Sequence, residues 1–258
     1  MKVIILAAGQ GTRLRPLTDD RPKCMVEVGG KSIIDRQLDA LYQCGVREED
    51  VVIVGGYKAG VLKERLSGTG IQFVDNIDYK NTNMVYSLMC AADILEAEND
   101  IAISYGDIFF DKEVFQKLQA AANEISVVVD DGWHGYWSKR CENPLDDAET
   151  LVCGEDGCLI EIGQKTDDPA RVQAQYIGLM RFKGRGIKDL LGLAADAAGK
   201  SSRGEQLWRT SRSYEEMYMT DLLQGLADEG KKLHAVHIQR GWFEVDSFDD
   251  LKLAESEL

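Results

Sequence analysis

Five short apolar runs, at 3–7, 51–54, 71–74, 101–105 and 125–129, alternate with stretches of helical spacing at 33–44, 59–66, 85–95 and 114–122. This alternation restricts the fold more than any other feature. The runs are dominated by Val and Ile with little polar alternation, the pattern of strands buried on both faces. Strands of that kind separated by single helices build βαβ units, and so a mainly parallel sheet with helices on both faces. After about residue 130 the rhythm changes. Trp133, Tyr136 and Trp137 concentrate large aromatics. Segments 159–162 and 175–182 read as a pair of added strands, 232–238 as a strand, and 187–198, 217–228 and 248–258 as helices. No internal repeat, low-complexity tract or flexible linker interrupts the chain, so it reads as one α/β domain, 1–258, with a small lobe after residue 130.

Lys and Arg number 30 against 44 Asp and Glu, a formal charge of −14. Such a chain has no basic face for general nucleic-acid binding, although a small anion responds to the local field rather than to net charge. No apolar run approaches a membrane span, and the opening MKVIILAAGQ reads as a buried strand rather than a secretion signal. Cys24, Cys44, Cys90, Cys141, Cys153 and Cys158 form neither a CxxC pair nor a zinc spacing. Reduced thiols, mostly core residues of a cytoplasmic protein, are expected. His134, His234 and His237 lack partners at ligand spacing.

The most specific string is LAAGQGTRLRPLTDDRPK, residues 6–23. Gly9 and Gly11 let the backbone turn sharply after the first strand and approach a phosphate closely. Arg13 and Lys23 can add charge-assisted contacts. Residues 1–31 carry six basic and three acidic side chains, +3, against −17 for the remainder. A dinucleotide fingerprint fails because Leu14 stands where its third glycine belongs, and no Walker A ending follows. A plain strand-to-helix turn with solvated charges is the bland alternative. Asp107 follows the run ISYG and Asp246 follows WFEV, which places carboxylates at strand ends, where ligands of open α/β sheets gather. Each also reads as a cap for a helix expected just after it, at 109–117 and 248–258.

The string at 6–23 resembles the signature GxGTRLxPLTxxxPK of the nucleotidyltransferases that build sugar nucleotides and related activated compounds. The resemblance implies a Rossmann-like nucleotidyltransferase fold, with a nucleotide-binding core at 1–129 and an acceptor lobe plus the completion of the sheet at 130–258. It implies that Leu6, Ala8, Gly9, Gly11, Thr12, Arg13 and Gly106 contact the nucleotide. It gives Arg13 and Lys23 the catalytic charge near the phosphates, and Asp107 and Asp246 a catalytic Mg²⁺. An ionised acceptor oxygen attacking the α-phosphorus in line needs no general base. Residues 81–88, NTNMVYSL, resemble the corresponding segment of bacterial phosphocholine and aminoalkylphosphonate cytidylyltransferases. That implies CTP as the nucleotide and adds Asn83 and Ser87 to its site. By themselves these two are a cap and first turn of the next helix.

For the acceptor, Asp131, Trp133 and Trp137, completed by Tyr176 and Tyr218, suit a cationic head group as aromatic faces plus an acid. A packed aromatic cluster is the equal alternative. Lys165 resembles the family lysine that pairs with the acceptor phosphate, although GQK followed by Thr replaces the compact EKP of many members. Asp221 resembles the acid of an ExxxTD stretch, or simply starts a helix. The expected activity is Mg-dependent transfer of CMP from CTP to a small phosphorylated or phosphonate acceptor of the phosphocholine, phosphoethanolamine or 2-aminoethylphosphonate type. A sugar-1-phosphate nucleotidyltransferase using UTP, dTTP or CTP and a non-catalytic nucleotide-binding homologue are the alternatives. A homo-oligomer stays open, and neither nucleic acid nor membrane is expected as a partner.

Overall fold

The computed structural model describes all residues, 1–258. The first strand, β1 (Lys2–Ala7), is buried from Val3 onward because strands cover it on both sides. The short hairpin β2 (Glu27–Val28) and β3 (Lys31–Ser32) leads into α1 (Ile33–Gln43), capped by the Ser32 hydroxyl, which accepts from the Asp35 N–H. Next come β4 (Val51–Gly55), α2 (Ala59–Arg65), β5 (Gln72–Asp75), α3 (Met84–Met89) and α4 (Ala92–Ala97). The single helix expected at 85–95 is thus two, divided at Cys90 and Ala91, with Ala91 buried beside Leu88 and Leu95. The chain continues through β6 (Asp100–Tyr105), β7 (Ile108–Phe110), α5 (Lys112–Ala120) and β8 (Ile125–Asp130). The second half adds α6 (Trp133–Arg140), β9 (Glu149–Cys153), β10 (Leu159–Lys165), β11 (Gln175–Lys183), α7 (Arg185–Ser202), α8 (Met219–Asp228), β12 (Leu233–Ile238), β13 (Trp242–Glu244) and α9 (Phe248–Glu257).

Seven strands form one sheet in the order β12-β8-β11-β6-β1-β4-β5. Every neighbouring pair is parallel except those made by β11, which runs antiparallel to both β6 and β8. The expected pairing of 159–162 with 175–182 is corrected here. β10 pairs with β9 in a separate ribbon, while β11 enters the middle of the sheet. Burial explains why: seven of the nine β11 residues are buried, as a strand covered on both faces requires. The charged residue among them, Arg181, is neutralised in place. Its guanidinium grips Asp100 through two bonds of 2.7 and 2.8 Å and donates to the carbonyls of Leu118, Gln119 and Ala121.

The pleat of β1 sorts the core. Ile4 and Leu6 face the layer containing α3, α7 and α8, and Val3, Ile5 and Ala7 face that containing α1, α5 and α6. The α/β expectation with helices on both faces therefore holds. A third, smaller cluster joins Leu14 of the loop after β1 to Val245 and to Leu251 and Ala254 of α9. That contact ties the N-terminal loop to the end of the chain. No helix is long and apolar enough to cross a membrane.

Candidate active site

The register of the sheet aligns Ala7 with Gly55 and Leu6 with Tyr105, so the loops after β1, β4 and β6 emerge side by side. Gly106 is where the third of them crosses the first. Its N–H donates to the Leu6 carbonyl at 2.9 Å, and a Cβ there would lie 2.7 Å from that same oxygen. Gly11 sits at φ +60, a left-handed conformation that suits glycine. The Thr18 hydroxyl donates to the Gly11 carbonyl at 2.8 Å, and the Tyr57 hydroxyl donates to Thr18 at 2.9 Å. Tyr57 thus braces the glycine loop rather than lining the cleft below it.

Two short helical turns then deliver the cations, Arg13 from residues 12–14 and Lys23 from residues 23–25, just after Pro22. They converge on three carboxylates. The Lys23 ammonium lies 2.7 Å from Asp107 and also contacts Asp246, and Arg13 reaches the other Asp246 oxygen at 2.5 Å. The third carboxylate, Glu244, was missed at the sequence level. It ends β13 two residues before Asp246, and its carboxylate reaches the same cluster, while the intervening Val245 faces the small apolar cluster. Asp107, Glu244 and Asp246 each offer an oxygen, all within 4.8 Å of one another. Burial opposes charge on Lys23, but Asp107 and Asp246 outweigh it and hold the ammonium pKa well above its ordinary value. Burial likewise opposes charge on Asp246, and Lys23 with Arg13 overcomes it, so its carboxyl is held below the usual range. Burial dominates at Glu244, and Asp246 and Asp107 add to it against the opposing Arg140, which pushes Glu244 up to about 8.

The two capping readings fall away. The N-cap of α9 is Ser247, locked reciprocally with Asp250, and β7 separates Asp107 from α5, whose cap position is Asp111. One observation fits these carboxylates to a divalent cation: Oδ1 of Asp107 is buried with no hydrogen-bond donor. Hard oxygen donors at this spacing suit an ion of the magnesium class.

A cleft of about 280 Å³ opens over the loops. The expected Leu6, Ala8, Gly9, Gly11, Arg13, Asn83, Ser87 and Gly106 all line it. Thr12 is exposed and stands outside this lining. Asn83 also caps α3, accepting from the Met84 N–H at 2.9 Å, and the Ser87 hydroxyl donates to the Asn83 carbonyl. Cap and cleft wall are the same residues. Tyr79, Thr82 and Met84 join them without having been anticipated.

A second cleft of about 430 Å³ adjoins the first and shares Arg13, Met84, Tyr105, Glu244 and Asp246 with it. Trp137, Lys165, Tyr176 and Tyr218 of the expected acceptor set line it. Three others do not. Asp131 turns away to His237, at 2.8 Å, on the outer strand β12. Trp133 is packed in the core against Trp137. Asp221 is buried, where it accepts from the Tyr218 N–H at 2.9 Å and receives Arg212 through bonds of 2.9 and 3.1 Å. The aromatic cluster is therefore mainly core, with one edge in the cleft. Its signal was present, since Trp133, Tyr136 and Trp137 at i, i+3 and i+4 make one helical face. Arg212, Glu149 and Asp147 also line the second cleft. No motif marks them, because loop residues and a strand start bring them together.

Residues 3–161 match the family model of the MobA-like NTP transferase domain. The chain is 40% identical over 258 residues to a CTP:phosphoglutamine cytidylyltransferase of Campylobacter jejuni subsp. jejuni serotype O:2, covering 98% of each chain. It is 36% identical over 134 residues, 51% of this chain and 55% of the relative, to a choline-phosphate cytidylyltransferase of Streptococcus pneumoniae. Among solved structures, an inositol-1-phosphate CTP transferase from T. maritima superposes with a TM-score of 0.72 at 22% identity, covering 98% of this chain and 93% of that one.

Proposed function

Since the chain belongs to the MobA-like NTP transferase family, we propose that it transfers CMP from CTP to a small phosphorylated acceptor and releases pyrophosphate. It is an enzyme of the cytidylyltransferase kind, like the relatives just described. The supporting observation is the junction of two clefts at Asp107, Glu244 and Asp246, with Lys23 and Arg13 at the same point. CTP takes the first cleft, its phosphates against the Gly9–Arg13 backbone and its base toward Asn83 and Ser87. The acceptor takes the second, with Lys165 toward its phosphate. An acceptor phosphate or phosphonate oxygen forms a bond to the α-phosphorus as the α–β phosphoanhydride bond breaks. That oxygen is already ionised, so no side chain has to remove a proton. Mg²⁺ held by Asp107, Asp246 and Glu244 would neutralise phosphate charge and favour in-line alignment. Lys23 and Arg13 supply fixed positive charge where the pentacoordinate phosphorus gathers negative charge.

The test is pyrophosphate release from each of four NTPs with phosphoglutamine, phosphocholine, phosphoethanolamine, 2-aminoethylphosphonate, inositol 1-phosphate and glucose 1-phosphate. CTP with one of the non-sugar acceptors should dominate. A preference for UTP or dTTP with glucose 1-phosphate would overturn this reading in favour of a sugar nucleotidyltransferase. Nucleotide binding without turnover on any acceptor would favour a non-catalytic homologue.

A further inference from the structure

The second cleft holds opposite charges that the transfer chemistry does not use. Glu149 opens β9, and its backbone is pinned on both sides by the buried Gln175: the Glu149 N–H donates to the Gln175 amide oxygen at 3.1 Å, and the Gln175 amide donates back to the Glu149 carbonyl at 2.6 Å. Its carboxylate, by contrast, takes no hydrogen bond and no ion pair from the chain. Burial raises its pKa, while Lys165 and Arg212 pull the other way. Arg212 is held just as firmly. One nitrogen, Nη1, is bound by both oxygens of the buried Asp221, and its guanidinium carbon stands 4.1 Å from the centre of the Tyr218 ring. Nη2 and Nε have no partner within the chain. A guanidinium fixed along one side presents its free donors in a fork that matches a carboxylate.

The neighbouring charges are already engaged. The Lys165 ammonium donates to the carbonyls of Asp146 and Asp147, which leaves its third N–H for the acceptor phosphate, and the Asp147 carboxylate accepts the Trp137 indole N–H at 3.0 Å. Guanidinium groups of the chain itself lie over the aromatic rings that would serve a quaternary ammonium: Arg140 over Trp137 at 5.1 Å and Arg212 over Tyr218. A purely cationic head group would also stand beside the free fork of Arg212. We propose that Arg212 and Glu149 together read a zwitterionic head group, its carboxylate on Arg212 and its ammonium on Glu149, so that the acceptor is a phosphorylated α-amino acid. This rests on the CMP-transfer reading for the identity of the phosphoryl-bearing partner.

Three matched probes separate the two charges: O-phospho-L-serine, phosphoethanolamine, which lacks only the carboxylate, and 3-phosphooxypropanoate, which lacks only the amine. With CTP and Mg²⁺, kcat/KM should favour O-phosphoserine over both. A charge-assisted pair removed from a partly buried site corresponds to about 10- to 100-fold. Arg212→Gln should collapse the preference over phosphoethanolamine by that factor, and Glu149→Gln the preference over 3-phosphooxypropanoate. Both changes should appear in the acceptor KM rather than in the KM for CTP. Glu149→Gln preserves shape, so it serves if loss of the Arg212–Asp221 pair impairs folding. Calorimetric binding of O-phosphoserine to wild type and variants reads the head-group site without turnover. Weaker binding in both variants supports the proposal even if no CMP is transferred, an outcome that would sink the CMP-transfer reading alone. Equal binding in all three proteins, no binding to wild type, or a preference for phosphoethanolamine or phosphocholine overturns it.

Discussion

Lys23 stands between two carboxylates that would otherwise repel each other across a partly buried gap, and the proposed transfer chemistry also draws on its ammonium. Lys23→Met separates these roles from bulk. Loss of one preorganised charge at a developing oxyanion commonly lowers kcat by about 10²- to 10³-fold, and pyrophosphate release by the variant should fall in that range. Stability should fall too, because Asp107 and Asp246 remain without their cation; breaking a buried pair on one side costs about 3–5 kcal/mol. Added Mg²⁺ should therefore raise the melting temperature of Lys23→Met more than that of wild type. An equal Mg²⁺ shift in both proteins would show that the carboxylates are not the ion's site. Arg13, Lys23, Asp107 and Asp246 were legible in the sequence because each lies in a contiguous motif or directly after an apolar run. Glu244 was legible in principle from its i, i+2 relation to Asp246. Arg212 was not, since only the fold of the 203–218 segment brings that side chain to Asp221 and into a cleft.

Elements position these residues, and α1 does so from a distance. Gln37 is fully buried on that helix, and its amide donates to the Tyr105 carbonyl at 2.7 Å and to the Ile108 carbonyl, while the Ser104 hydroxyl donates to its oxygen at 3.2 Å. One side chain thus clamps both ends of the turn that carries Asp107. Gln37→Leu keeps the volume and removes the clamp. The stranded carbonyls cost about 1–3 kcal/mol, which urea unfolding should register. Because the turn is loosened rather than the nucleotide wall, kcat should drop several-fold with little change in the KM for CTP. A rise in KM alone would place the effect elsewhere. The same scale explains what sequence patterns miss. The alternation of runs foretells β1, β4, β5, β6 and β8 and the helices between them, apart from the break that makes 85–95 two helices, since each is decided by local periodicity. The place of β11 is decided by which strand edges remain to be covered, a long-range matter. The helix α6 was hidden because its small hydrophobic face is built from residues whose aromatic character drew a functional reading instead.

At the scale of the whole molecule, the cleft junction is closed by the last turn of the chain folding back on the first. Leu14 packs with Val245, Leu251 and Ala254, and Arg13 and Lys23 pair with Asp246. Nucleotide and metal bound there would bridge residues 230 or so positions apart in sequence and stabilise global rather than local structure. Ligand at about 100 times its Kd adds about 2.7 kcal/mol to the folded state, and a chain of this length gains about 2–4 °C in Tm per kcal/mol. Saturating CTP with Mg²⁺ should accordingly raise Tm by roughly 5–10 °C in a single cooperative transition. Chelation with EDTA should remove most of that shift, because CTP alone would bring its phosphates toward Asp107, Glu244 and Asp246 without compensation. A CTP shift indifferent to EDTA would mean that Arg13 and Lys23 alone carry the triphosphate. A biphasic melt in which CTP moves only the first phase would mean that the N-terminal loops unfold apart from α9, contrary to the packing that joins them.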